Sequence, residues 1–172
     1  GHMDLARVLR VRGELTDAEE SYSQALVLAP RDAAAFLGRG LVRMEQGNGA
    51  GASSDLERAR QLAPRDASVW VALGDLHRAA SDLDAAVTAY QRALTLDPAL
   101  VMVEVRLGNT HVARGRLEEA LAAFDGAIER APTQSEAHNG RGVALMYLGR
   151  ETDARASFER AAELAPSDPH PL

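Results

Sequence analysis

Five histidines and one glycine-rich segment are the parts of this chain whose chemistry could form a metal or phosphate site. His77 and His111 lie 34 residues apart. This spacing is that of a repeated helical hairpin, and equivalent positions in neighbouring hairpins are on the order of 10 Å apart. Two ligands of one zinc must each lie about 2 Å from the metal. We therefore predict that both are packed core histidines, and that His138 packs in the same way. His2 falls in residues 1–3, Gly-His-Met, which look like a cloning remnant.

The sequence GNGAG at residues 47–51 superficially resembles a phosphate-binding loop. It follows a predicted helix rather than a strand, and it lacks both the GxGxxG and the GK[ST] spacing, so no phosphate site is predicted. The acidic pairs Glu19-Glu20 and Glu118-Glu119 fall near predicted helix starts, where acids favour the helix dipole, and we interpret them as solvated. Neither a catalytic residue, nor a metal site, nor a cofactor is predicted, and the chain is not expected to be an enzyme.

Composition and charge restrict the class of protein further. There is no cysteine, which excludes disulfides and thiolate metal sites and leaves the compartment open between cytoplasm and periplasm. The formal charge of −6 argues against nucleic-acid binding, because phosphate contacts need a net basic surface. All 19 basic residues are arginine, which indicates the coding bias of a GC-rich, bacterial genome. No apolar run reaches the roughly 20 residues that a membrane span needs.

A 34-residue register organises the whole chain. Five prolines follow one another at this spacing: Pro30, Pro64, Pro98, Pro132 and Pro166. An alanine lies five residues before each proline (Ala25, Ala59, Ala93, Ala127, Ala161), and a second lies twelve before it (Ala18, Ala52, Ala86, Ala120, Ala154). A large residue lies between the two alanines (Tyr22, Leu56, Tyr90, Phe124, Phe158), and a small one 24 residues before the proline (Ala6, Gly40, Gly74, Gly108, Gly142). Such exact repetition indicates one structural unit copied five times.

The repeated pattern resembles the tetratricopeptide repeat. Its signature of W, LG, Y, A, F, A and P is met almost in full by residues 67–98, through Trp70, Leu73, Gly74, Ala86, Tyr90, Ala93 and Pro98. The resemblance implies an all-α fold, a right-handed α-α superhelix or solenoid of five antiparallel helix-turn-helix hairpins. We expect a single array with repeats at about 1–32, 33–66, 67–100, 101–134 and 135–168, the first of which is truncated at its N-terminus, so that the native chain continues upstream.

Local chemistry explains why each unit should be a hairpin. Small residues at matched positions let two helices approach closely while the large residue fills the space between them. The proline stops the second helix, and an aspartate next to it, in PRDA twice and PSD once, offers an N-cap for the next helix. We predict the turns inside the hairpins at Gly13-Glu14, Gly47-Asn48, Ser81-Asp82, Gly115-Arg116 and Gly149-Arg150.

The second helix of repeat two is predicted to be the weakest element. Gly49 and Gly51 would each cost about 1 kcal/mol relative to alanine in a helix, and Ser53 and Arg60 stand where other repeats have Val or Leu. Two interpretations stay open: a hinge at this helix, or simple tolerance of a poor helix. Uniform hydrogen-exchange protection across residues 48–60 would exclude the hinge.

Binding sites in the resembled family line the concave face, which the first helix of each hairpin forms. In this chain the corresponding first-helix strip is Arg7, Arg10, Leu37, Leu41, Met44, Val71, Asp75, Arg78, Met102, Val105, Arg106, Asn109, Glu136, Asn139, Val143 and Met146. It is apolar, rich in adaptable methionine, and has four arginines against two acids. We expect a partner peptide with apolar anchors and carboxylates that arginine can hold. The alternative is that some of these residues only pack between neighbouring first helices.

The family resemblance implies a non-catalytic protein–protein interaction scaffold. An alternative function is a recruiting arm of a larger enzyme, such as a glycosyltransferase or sulfotransferase, or of a bacterial export or assembly machine. Self-association through the ends of the array is a further expectation, because a head-to-tail contact between copies would build filaments. Neither nucleic acid nor direct membrane insertion is expected.

Overall fold

The computed structural model describes residues 1–165, and within them it has ten α-helices and no strand. The helices are α1 (His2–Val11), α2 (Leu15–Leu28), α3 (Ala33–Glu45), α4 (Gly49–Leu62), α5 (Ala67–Ala79), α6 (Leu83–Leu96), α7 (Val101–Ala113), α8 (Leu117–Arg130), α9 (Ser135–Tyr147) and α10 (Glu151–Leu164). The predicted all-α, helical-repeat fold is confirmed. Pro166 and the predicted PSD cap at residues 166–168 lie outside the described part.

The chain forms two compact units, Gly1–Leu96 with α1–α6 and Asp97–Leu172 with α7–α10. In the first unit, the pairs α1/α2, α3/α4 and α5/α6 are hairpins, and α2 packs on α3 and α4 on α5. In the second unit, α7/α8 and α9/α10 are hairpins, and α8 packs on α9. First helices also contact each other within a unit, α1 with α3, α3 with α5, and α7 with α9. These contacts bury a hydrophobic core between neighbouring helices within each unit.

The turn inside every hairpin has the left-handed backbone that the sequence predicts. Positive φ angles occur at Gly13 (78°), Gly47 (77°), Ser81 (62°), Gly115 (71°) and Gly149 (72°). Glycine adopts this conformation without strain, whereas serine at position 81 is the one exception in the series. Ser81 thus keeps the turn geometry at an energetic cost that the other four hairpins avoid.

Two of the predicted aspartate caps are present. The Asp32 carboxylate accepts hydrogen bonds from the backbone N–H groups of Ala34 and Ala35, at 2.9 and 3.2 Å. Asp66 accepts one from the backbone N–H of Ser68, at 2.9 Å. These bonds satisfy N–H groups that have no acceptor inside the helix, and they define the starts of α3 and α5.

Close helix approach at the register glycines explains the small residues. A Cβ atom built on Gly74 would lie 2.4 Å from the Tyr90 ring, and one on Gly108 would lie 2.7 Å from Phe124. The register alanines are likewise buried, among them Ala86. The interior of each hairpin thus consists of a large side chain set against small ones, as the sequence predicts.

Candidate functional site

An open groove of about 560 Å³ lies in the described part of the second unit. Four residues of the first-helix strip line it: Asn109 on α7, and Glu136, Asn139 and Val143 on α9. The opposite wall comes from α10 and the residue after it, through Phe158, Ala161, Ala162 and Ala165. The groove is therefore bordered by predicted site residues on one side and by apolar side chains on the other.

Local structure explains why these side chains converge. Gly140 lies between Asn139 and Arg141 in α9, and a Cβ atom there would be 2.4 Å from Phe124 of α8. This contact seats α9 on α8 and leaves Asn139 exposed beside the groove. On α10, Ala161 and Ala162 are small, so this wall leaves the groove open. Packing of α9 and α10 around Gly142 and Phe158 completes the groove.

The groove combines hydrogen-bonding side chains on one side with an apolar wall on the other. Asn109 and Asn139 each offer a carbonyl acceptor and two N–H donors, the complement of a peptide group. Glu136 adds an acceptor, and its carboxylate already receives a hydrogen bond from the side-chain amide of Gln134, at 2.5 Å.

Not every strip residue is available for a partner. Val105 is 2% exposed and belongs to a core cluster with Leu121 and Phe124, so its assignment to the binding surface needs correction. Leu37, Leu41 and Met44 are partly buried against a cluster that includes Leu56 and Leu73. For these residues the packing alternative describes the structure, because neighbouring first helices contact each other. The sequence pattern of the strip alone does not show which residues are open to a partner and which pack between first helices.

The strip arginines of α1, Arg7 and Arg10, have carboxylate partners within the chain. Arg10 on α1 bonds Glu45 at the end of α3 through both Nε and Nη2, each at 2.8 Å. Arg7 lies 3.7 Å from Asp4 on the same helix. A partner carboxylate would have to compete with these internal acids at both sites.

Asp75 is the strip residue with the most defined environment in the first unit. Its carboxylate accepts a hydrogen bond of 2.6 Å from the buried Tyr90 hydroxyl. Burial and the Asp75 carboxylate both raise the pKa of Tyr90, so the phenol stays protonated. The hydrogen bond thus fixes the orientation of the Asp75 carboxylate and gives the buried Tyr90 hydroxyl an acceptor.

The remaining strip residues are helix-surface side chains. Val71 is half-buried on α5 and Arg78 is exposed near the end of that helix. Met102 and Met146 are 42% and 51% exposed on α7 and α9. Arg106 lies on α7, and its backbone carbonyl accepts a hydrogen bond from the Thr110 hydroxyl at 2.7 Å. None of these five lines the 560 Å³ groove.

Three histidines of the described part, His77, His111 and His138, lie in different environments. His111 is 7% exposed, as predicted, and its Nδ1 has no hydrogen-bond partner among residues 1–165. Burial lowers the pKa of His111, and Arg114 acts in the same direction. His77 is only half-buried, 3.8 Å from Asp82, which corrects its assignment to the core. His138 is half-buried too, and its Nε2 lies 3.0 Å from the Pro132 carbonyl oxygen.

Trp70 and His138 make equivalent contacts in their repeats. The Trp70 indole N–H donates to the Pro64 carbonyl oxygen at 3.0 Å, and both pairs are separated by six residues along the chain. His138 therefore replaces the signature tryptophan and keeps its polar contact to the preceding proline. Within residues 1–165 no three metal-ligating side chains form a cluster.

An ionic network between α2, α3 and α4 was not predicted from the sequence. Asp55 of α4, 3% exposed, receives bonds of 2.9 and 2.7 Å from Arg39 Nε and Nη2, and one of 2.9 Å from Arg43 Nη1. Arg43 Nε bonds Glu19 at 2.8 Å, and Arg39 Nη1 bonds the Ser23 hydroxyl at 3.1 Å. Glu19 is thus not a solvated acid, and the bond from Arg43 lowers its pKa.

A second copy of this arrangement occurs in the other unit. Arg141, which is 102 residues and three register lengths after Arg39, bonds Asp125 at 2.7 Å and the Ser157 hydroxyl at 2.8 Å. In each copy the arginine joins a residue 16 before it to one 16 after it, and the acid and the serine exchange places. The equivalent positions in the two repeats between them are Leu73 and Leu107. An arginine at a position that is otherwise leucine was therefore the one sign of these ion pairs in the sequence.

The GNGAG segment contains the N-terminus of α4. The Asn48 side chain caps the helix by accepting from the Gly51 backbone N–H at 3.0 Å. A Cβ atom on Gly51 would lie 2.7 Å from the Asn48 side-chain amide and 3.0 Å from the Arg43 side chain, whereas one on Gly49 would meet no atom within 4 Å. Gly51 therefore makes room for the capping Asn48 side chain and for Arg43 of the ionic network, and Gly49 has no comparable role.

The described helices contain no segment with the length and apolarity of a membrane span. The family model for the tetratricopeptide repeat matches residues 3–53, 39–100 and 105–169. No curated protein matches the chain in sequence.

Solved structures share the fold along nearly the whole chain. A crystal structure of MamA is 25% identical, with a TM-score of 0.85 over 94% of this chain and 95% of that one. The structure of YrrB, described as a TPR protein with an unusual peptide-binding site, is 24% identical, with a TM-score of 0.78 over 97% of this chain and 86% of that one. The repeated register, the ten helices and the family match lead to one conclusion: the chain belongs to the tetratricopeptide repeat family.

Proposed function

We propose that the chain is a non-catalytic interaction scaffold that binds an extended peptide segment of a partner protein. The groove between α9 and α10 is the main contact site. The observation that carries the proposal is the convergence of Asn109, Asn139 and Val143 on one open groove with an apolar opposite wall. Protein–protein interaction is the general role of this family, and the groove is the surface on which we expect this chain to perform it.

The groove defines the chemistry of the segment. Extended backbone would place its N–H and C=O groups against the amides of Asn109 and Asn139. An aliphatic side chain would pack on Phe158 and Ala161, where burial stabilises the complex by about 25 cal/mol per Å² of apolar surface removed from water. The exposed Glu136 favours a basic residue at that end of the segment. Carboxylate recognition remains proposed for Arg78 and Arg106, outside the groove.

A peptide selected from a random display library provides the test. The selected peptide is titrated against the full chain and against Asn139→Ala and Val143→Asp variants by isothermal titration calorimetry. Each variant should weaken binding about tenfold or more, because a lost hydrogen bond or an introduced charge costs about 1–3 kcal/mol at a desolvated contact.

Thr152→Ala is the matched control, since Thr152 is exposed near the start of α10 and does not line the groove. It should bind the peptide as the parent chain does. Equal affinity of the parent and both groove variants would show that the peptide binds elsewhere, and the proposed site would be wrong.

A further inference from the structure

Asparagine precedes glycine twice in the chain, at Asn48-Gly49 and at Asn139-Gly140. This dipeptide has a reaction of its own, because the backbone nitrogen of the glycine can attack the side-chain amide carbon of the asparagine. Glycine favours the attack, since it has no Cβ atom to shield its nitrogen and its backbone rotates freely. The third asparagine of the chain is followed by threonine, whose branched side chain hinders the same approach. The surroundings of the two pairs in the fold therefore decide which of them reacts.

The first pair lies in an open turn between α3 and α4. Asn48 and Gly49 are both exposed, and a Cβ atom built on Gly49 would meet no atom within 4 Å. Asn48 is the N-cap of α4, and its backbone lies outside the helical region, with φ −83° and ψ 73°. Water thus reaches the Asn48 amide, and no packed side chain blocks the approach of the Gly49 nitrogen.

The hydrogen bonds of this turn can open locally. The Asn48 N–H donates to the Arg43 carbonyl oxygen at 2.8 Å, and the Gly49 N–H donates to the Gly47 carbonyl oxygen at 3.1 Å. The Asn48 side-chain oxygen accepts from the Gly51 N–H at 3.0 Å. Gly49 and Gly51 each cost about 1 kcal/mol of helix propensity relative to alanine, so this turn opens at a lower free energy than the rest of α4. Opening releases the Gly49 nitrogen without unfolding the helix.

The second pair is held inside α9. In an α-helix the Gly140 N–H bonds the carbonyl oxygen four residues earlier, that of Glu136. Gly140 is buried, and a Cβ atom there would lie 2.4 Å from the Phe124 ring. Ring closure between Asn139 and Gly140 would require the second turn of α9 to open against this packing. The helix thus protects the Asn139 amide, on which the proposed peptide site depends.

We propose that Asn48 is a site of spontaneous deamidation, whereas Asn139 is protected from the same reaction. The backbone nitrogen of Gly49 attacks Cγ of Asn48, and the proton of that nitrogen leaves with the side-chain NH₂ group as ammonia. The product is a five-membered succinimide ring. Water then cleaves one of the two C–N bonds of the ring. Cleavage at the former side-chain carbonyl gives aspartate, and cleavage at the main-chain carbonyl gives isoaspartate, whose backbone runs through the side chain.

The two products act differently on α4. An aspartate at position 48 keeps an acceptor for the Gly51 N–H and places a negative charge at the positive end of the helix dipole. Asp32 and Asp66 cap α3 and α5 in this way. Isoaspartate has one more atom in the backbone and displaces its carboxylate, so the Gly51 N–H loses its acceptor. The reaction therefore either strengthens or breaks the cap of α4.

Peptide mapping by mass spectrometry tests the site on the full chain. The folded chain is incubated at neutral and at mildly alkaline pH, and the deamidated fractions at Asn48 and Asn139 are followed in the same sample. Asn48 should react at least about tenfold faster, because its turn opens more readily than the inside of α9. A proteolytic digest incubated in parallel is the reference. Both pairs are unfolded in the digest, so the difference between their rates should largely disappear.

Two variants separate the mechanism from its consequence. Gly49→Ala keeps Asn48 but places a Cβ atom beside the attacking nitrogen, so the reaction at Asn48 should slow at least about tenfold. The rate at Asn139 should not change. Asn48→Asp supplies the aspartate product directly and should unfold thermally at the same temperature as the parent or higher. The isoaspartate chain, separated by chromatography, should unfold at a lower temperature than Asn48→Asp.

Three results would overturn the proposal. Asn139 could react in the folded chain as fast as Asn48, or Asn48 could stay intact in the folded chain over the time in which the digest reacts. The third is an unchanged rate at Asn48 in Gly49→Ala, which would exclude attack by the backbone nitrogen. Selective reaction at Asn48 that yields isoaspartate, rises with pH and is slowed by Gly49→Ala supports the site. The site is separate from the groove, so either proposal can fail without the other.

Discussion

Glycines of this chain have opposite roles, although all fourteen look alike in the sequence. Gly74 lies against the Tyr90 ring, where a Cβ atom would approach to 2.4 Å. Gly49 lies in open space at the start of α4. The first enables a hairpin to close, and the second only lowers helix propensity.

This difference predicts opposite effects of the same substitution. Gly74→Ala should lower the free energy of unfolding by about 1–3 kcal/mol, because the Tyr90 ring or the backbone must shift. Gly49→Ala should raise it by up to about 1 kcal/mol through helix propensity. Urea denaturation of both variants measures the effects. Stabilisation by Gly74→Ala would refute the close packing of α5 on Tyr90.

His111 predicts a pH dependence. Burial lowers its pKa, so the unfolded chain binds the proton more readily than the folded chain. Its contribution to stability is therefore complete above the ordinary histidine value of about 6.5, and it decreases as pH falls below that value. The parent should lose more stability between pH 7 and 5 than a His111→Leu variant does. Parallel loss of stability in the two chains would show that His111 does not contribute.

At the scale of elements, α4 illustrates what the sequence could and could not predict. The helix was predicted to be weak because of Gly49 and Gly51, and both glycines are in its first turn. The ionic network of Asp55 with Arg39 and Arg43 holds it to α2 and α3. Propensity is a local property, whereas these bonds join residues 12 to 24 positions apart and depend on packing.

The network predicts a large effect from one acid on α4. Asp55→Ala leaves two partly buried guanidinium groups without their common acceptor, so the free energy of unfolding should fall by about 3 kcal/mol. Glu159→Ala removes an acid from a fully exposed ion pair on α10 and should leave the stability unchanged. Thermal unfolding compares the two. Similar, small effects would mean that the network adds little.

Hydrogen exchange can then separate the two interpretations of α4. Because the network joins three helices, we expect amides of residues 52–60 to be protected to the same degree as those of α3, without a hinge. In the Asp55→Ala chain, this protection should be lost first in α4. Faster exchange of α4 than of α3 in the parent chain would instead favour the hinge.

At the scale of the molecule, the register predicted the helices and turns because proline and glycine act on the backbone next to them. Pro64, Gly47 and Asp66 each mark a boundary that the structure reproduces. The groove was predictable only in part. Its α7 and α9 residues belong to the predicted strip, but Phe158 and Ala161 were assigned to the core, and their contribution depends on how α10 packs.

The same limit explains why one residue of the predicted strip is buried. Val105 has the helix position of a surface residue, yet it is buried with Leu121. Helical periodicity identifies a face, but it cannot show how deeply a neighbouring helix covers that face. Asn109 and Asn139 keep their exposure because the surrounding residues leave the groove open.

The most direct test of the scaffold function is a map of peptide contacts on the isotopically labelled full chain by NMR. With the library-selected peptide, the largest amide and side-chain shifts should occur at Asn109, Asn139 and Val143, and at Phe158 and Ala161 on the opposite wall. Residues at the start of α10, such as Thr152, should not shift. Shifts that avoid the groove altogether would contradict the central claim.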